Sequence, residues 1–126
     1  MKQTIMLVIV TAMIIVGGIW ENNYLNTSSQ YFLSDINYSK NAVNNNDFEL
    51  AKKHFKETED TWNSMQGVWN ILLDHSEIDK IEEAMDKYKT YIEYENEEQA
   101  MVYANVLDNN LRHIVETEKI NVYNIF

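Results

Sequence analysis

The side chains best suited to hold a metal ion or relay a proton near neutral pH are imidazoles beside carboxylates. Here they fall in two stretches, His75 with Asp79 and His113 with Glu116. If the chain folds as an up-down bundle, all four approach one end of it. The Glu-x-x-His signature of di-iron bundles is missing, because Ala51, Leu72 and Asn110 stand three residues before the histidines. The plainer reading makes His75 a loop residue beside a helix cap and His113 a packing residue. No metal site and no cofactor is expected.

The other chemistry is as easily reduced to packing or solvation. Asp74 to Glu98 holds ten acids against three lysines, including Glu82-Glu83 and Glu97-Glu98. General acid–base work needs two carboxyls facing one another with separated pKa values, whereas a run along a helix is ordinarily a solvated face. A calcium loop with alternating aspartates and a glycine is absent, as are a G-x-S-x-G elbow and a glycine-rich phosphate loop. Trp62 and Trp69, seven apart, with Phe48 and Phe55, read as core. Tyr24, Tyr31 and Tyr38 form a second stripe at the same spacing, open to a subunit interface or to half-exposed packing against the last helix. The chain is read as not an enzyme.

These residues must be carried by helices. The sequence has no proline and three glycines, so it offers few turns. Four segments repeat apolar positions in steps of three and four. Leu25, Ser29, Phe32, Ile36, Ser39 and Val43 mark the first. Phe48, Ala51, Phe55, Thr58, Trp62, Met65, Trp69 and Leu72 mark the second, the longest such seam. Ile78, Ile81, Met85, Tyr88 and Ile92 mark the third, and Ala100, Tyr103, Leu107, Leu111 and Ile114 the fourth. Asn46 or Asp47, with Glu49 completing a capping box, and Ser76 with Asp79 are the expected helix starts. Gly67, inside the second segment, suggests a bend or close contact there. Loops of two to four residues predict an all-α, antiparallel up-down four-helix bundle over residues 21–119, followed by an apolar tail, 120–126, that is not clearly helical.

Residues 4–20 contain no charge in seventeen positions, about 26 Å of helix at ~1.5 Å per residue. This predicts an N-terminal membrane anchor over 1–20 that continues into the first bundle helix. A cleaved signal peptide is the alternative. Apolar residues on every side argue against a core helix. Lys2 before the segment and Glu21 after it put the N-terminus inside and the helical domain on the extracytoplasmic face of the cytoplasmic membrane. Trp20 and Tyr24 stand where an aromatic belt would meet the headgroups.

The net charge is −10, from 20 acidic and 10 basic side chains. Lys2 lies in the anchor and every acid beyond it, so the remainder carries nine bases against twenty acids, or −11. Such a domain repels nucleic-acid phosphates and anionic lipid alike. With no cysteine there is no disulfide, thiolate nucleophile or acylation site.

Two stretches carry a resemblance. These are His75-Ser76-Glu77-Ile78-Asp79-Lys80-Ile81-Glu82, and Leu111-Arg112-His113-Ile114 on to the terminal Asn124-Ile125-Phe126. With the N-terminal anchor and Trp69 they resemble the family catalogued as domain of unknown function 4363, short membrane-tethered proteins of clostridia and bacilli. The resemblance implies no activity, cofactor or catalytic residue, but it makes an integral membrane partner the natural expectation. The residues expected to meet it are His75, Glu77, Asp79, Arg112, His113, Ile125 and Phe126, the last two because an apolar chain end needs somewhere to be buried. The leading expectation is therefore an accessory or structural subunit of another membrane protein, with a homo-oligomer also compatible. An extracytoplasmic sensor or ligand-binding bundle is the alternative.

Overall fold

A computed structural model describes the backbone of residues 1–125 and the side chains of residues 1–119. Its elements are α1 (Lys2–Asn44), α2 (Phe48–Leu72), α3 (His75–Glu93) and α4 (Glu97–Ile125). Each helix packs against its sequence neighbours, and α4 closes the ring against α1. This is the antiparallel four-helix bundle that short connections favour.

The heptad positions fill the core. All six marked positions of α1 are buried, as are Ala51, Phe55, Thr58, Trp62, Met65 and Trp69 of α2. Helix α3 buries its five predicted positions and adds Ala84, while α4 buries Ala104 and leaves Tyr103 half-buried. Tyr103 instead stacks on Tyr91 at 5.5 Å, with the Lys87 ammonium 5.2 Å from its ring centre. Phe32, Trp62 and Trp69 form an edge-to-face chain, at 5.9 Å and 5.8 Å between centroids.

Polar atoms inside this core are paired. Ser39 Oγ donates to the Ala51 carbonyl at 2.8 Å and lies 2.6 Å from the Tyr88 hydroxyl. Serine has one proton to give, so Tyr88 must be the donor in the second bond. Burial pushes the Tyr88 phenol up to about 12, and the Ser39 contact opposes that only partly. The three-centre link ties α1, α2 and α3 together and explains a serine on the α1 seam. Trp69 Nε1 donates to Ser28 Oγ at 2.9 Å, which fixes the register of α2 against α1 lower down.

Local details depart from expectation in five places. At the start of α2 the capping box is what fails: Asp47, one of the two expected caps, does cap the helix, accepting from the Leu50 amide at 3.1 Å. Asn46 instead takes a left-handed turn, φ 56°, and Glu49 bonds Lys52 rather than closing a box. Helix α3 begins at His75 after Asp74, so Ser76 lies inside the first turn and caps nothing. Gly67 lies inside an unbroken α2 and has no close neighbour, since a Cβ there would meet nothing within 4 Å. Tyr38 stacks on His54 of α2 at 5.6 Å rather than on α4. Finally, the α4 backbone stays helical to Ile125, through most of the segment expected to lose regularity. No proline or glycine interrupts it, so nothing local ends the helix.

Candidate functional site

Helix α1 has two halves with opposite surroundings. From Leu25 to Val43 one stripe is buried in the bundle, while no residue of its apolar window is buried at all. Ile5, Met6, Leu7, Met13 and Val16 are each more than half exposed. The helix is long and apolar enough to cross a membrane. Nothing in the backbone separates the halves, because Gly17 and Gly18 remain helical and the element runs unbroken for 43 residues. At the junction Trp20 stacks on Tyr24, with centroids 5.6 Å apart, as an interfacial aromatic pair would.

The same level of the bundle gathers carboxylates from three helices. Glu118 of α4 hydrogen-bonds Glu21 of α1, and Asp74 and Glu77 at the start of α3 add like charge. Burial, then the bond to Glu21, then these charges push the Glu118 carboxyl up to about 7. A neutral Glu118 can donate to the Glu21 carboxylate, and two ionised groups there could not share a proton. Between Leu73, Glu77, His113 and Glu118 lies a cleft of about 160 Å³.

The sequence-predicted residues divide around this junction. Glu77 and His113 reach the cleft. His75 and Asp79 are exposed on the first turns of α3 and do not line it. Arg112 is held by Asp108 on its own helix, Nε to Oδ2 2.9 Å, which raises its already high pKa. It lines a separate groove between α1 and α4. Among the described residues no group of three or more His, Cys, Asp or Glu could hold a metal ion. The side chain of Ile125 and all of Phe126 lie outside the described residues.

Pattern reading missed Glu118, and with it the meeting of Glu21 and Asp74 at one level. One signal was available: Glu21 is the first charge after the span, so whatever folds back to that level must meet it. What this end offers is an apolar helix with uncovered sides, an aromatic collar, and a Glu118 carboxyl of raised pKa where they meet the bundle.

Comparison with curated proteins and with solved structures finds no match for this chain. The model of the family described as domain of unknown function (DUF4363) matches residues 19–125, the whole bundle and not the apolar segment before it, and the chain belongs to that family.

Proposed function

We propose that this chain is a non-enzymatic accessory subunit, tethered by α1 with its N-terminus inside, whose bundle stands on the extracytoplasmic face and binds an integral membrane protein. The observation that carries the reading is the bare apolar half of α1, joined without a break to a packed domain. An isolated apolar rod of this kind has to be covered by lipid or by another membrane helix. Lys2 before the segment and Glu21 after it favour the stated orientation. Ile71, 83% exposed on the last turn of α2, adds an apolar contact at the junction end.

The test has two arms. A single cysteine placed by Asn45→Cys, at the far tip of the bundle, should react with a membrane-impermeant maleimide in intact cells. Reaction only after lysis would reverse the orientation. Full-length tagged protein purified in mild detergent from its native membrane should bring down one integral membrane protein in stoichiometric amount. That companion should be lost on deleting residues 120–126 while the bundle stays folded. A solitary monomer, stable with or without those residues, would remove the accessory reading.

A further inference from the structure

The outward face of α1 differs from the rest of the bundle surface in carrying no charge. From Asn22 to Asn44 every exposed residue is Asn, Gln, Ser, Thr or Tyr. The two charged side chains of that stretch are half-buried and engaged, Asp35 accepting from the Thr61 hydroxyl and Lys40 donating to Asn105 Oδ1 at 3.3 Å. Helices α2, α3 and α4 each put several charges into solvent. Of the chain's twenty acids and ten bases, α1 holds two of each, so the net charge of −10 resides entirely beyond it. Tyr31 and Tyr38 stand out of this uncharged face, 67% and 57% exposed. Few charges and exposed aromatics are the composition of an interface centre.

The same face continues into the apolar half. Met13, Val16 and Trp20 line one side of that half, each more than half exposed. From Trp20, steps of seven, four, three and four lead through Thr27, Tyr31 and Ser34 to Tyr38. Such spacing keeps all seven on one side of a helix that runs unbroken for 43 residues. We infer that this face binds a second copy of the chain, the two α1 helices lying parallel about a two-fold axis normal to the membrane. Copies held in one membrane with one orientation stand at the same height, so the axis brings each residue of the face to its own counterpart. That arrangement would set any charge against its like, and a face without charges satisfies it. Thr and Ser hydroxyls both donate and accept, so each can pair with itself. A partner drawn by charge would instead be basic and would sit on α2, α3 or α4. Because α1 packs on α2 and α4, pairing through α1 leaves α3 on the far side of each copy. At ~150–250 Å² per aromatic side chain, and with Met13 and Val16 added, the face offers up to about 600 Å² per copy, which clears the ~1,000 Å² total of a specific interface. The inference rests on the tether proposed above and not on the integral membrane partner.

The chain has no cysteine, so single replacements report position cleanly. Thr27→Cys and Ser34→Cys, oxidised with copper phenanthroline in native membranes, should each convert most of the chain to a covalent dimer. Thr90→Cys, equally exposed but on α3, should stay monomeric, since a disulfide needs Cα atoms within ~7 Å. Adding Ser34→Glu to Thr27→Cys sets like charges together and should cut bridging at least fivefold, while position 34 is too exposed for the change to reach the core. Ser34→Cys labelled with benzophenone maleimide and irradiated should give an adduct of twice the chain's mass. An adduct with a different protein, or with lipid alone, would overturn the inference. So would equal bridging at position 90, or bridging indifferent to Ser34→Glu. A chain recovered from the soluble fraction would remove the tether and this inference together, whereas a membrane-bound chain that fails to bridge at 27 and 34 removes this inference alone.

Discussion

The substitution Glu118→Gln should make the bundle more stable at alkaline pH and leave it unchanged in acid. In the folded chain the Glu118 carboxyl sits at about 7 against an ordinary 4.5, through burial and the Glu21, Asp74 and Glu77 carboxylates around it. A carboxyl whose folded pKa is raised binds its proton more tightly folded than unfolded. It therefore costs nothing below about 4.5, costs progressively more as pH rises towards 7, and exerts its full penalty above that. Without screening, a displacement of that size corresponds to a ceiling of about 3 kcal/mol. Glu118 is only half-buried, however, and solvent screening should reduce the cost to about 1 kcal/mol. Glutamine keeps a donor for Glu21 and cannot ionise, so it should recover that amount at pH 8 and nothing at pH 4. Urea unfolding of both proteins in the same detergent at the two pH values measures the difference directly. An equal effect at both, or a loss at pH 8, would show that Glu118 is an ordinary surface carboxylate.

Two further outcomes follow from single contacts. Ser39→Ala strands the buried Tyr88 hydroxyl without an acceptor and should cost about 1–3 kcal/mol. Tyr88→Phe leaves Ser39 bonded to Ala51 and should cost less, about 1 kcal/mol, so the order of the two in denaturant titrations checks who donates to whom. In the anchor, Met13→Arg puts a charge near the centre of the apolar window at a cost of about 2.5–3.5 kcal/mol, and should move the protein out of the membrane fraction on differential centrifugation.

Side-chain periodicity made the helices and most of the core legible. The 48–72 seam, for example, names α2 almost residue by residue, because burying one stripe requires that spacing and little else does. Starts and stops were harder, since several neighbouring residues can cap a helix and backbone geometry chooses among them. Asp47 wins over Asn46 because the chain must turn left-handed at Asn46 first. Ser76 looked like a cap, but α3 had already begun. The junction carboxylates were hidden for a different reason. Glu21, Asp74 and Glu118 come from three segments, and bringing them to one level requires the register of α4 against α1 and of the α2–α3 turn. A slip of one turn, ~5.4 Å, would scatter them. Register is set by contacts such as Trp69 to Ser28, between a ring and a hydroxyl that no local pattern pairs.

The unbroken α1 helix gives the junction its mechanical meaning. From Glu21 to the end of α1 the bundle portion rises about 35 Å, taking ~1.5 Å per residue. A rigid rod that tilts by the ~20° common for membrane helices moves its far tip sideways by about 12 Å, and the Asn45–Asp47 turn moves with it. A hinge at residues 17–18, where the glycines stand, would decouple the two halves of α1, yet the helix continues unbroken through them. Where lipid covers the apolar half, as proposed, its tilt and the attitude of the bundle are therefore one variable. The contact best placed to bias that variable is the one at the fulcrum, where Glu118 of α4 meets Glu21 of α1 with the Asp74 and Glu77 charges close by.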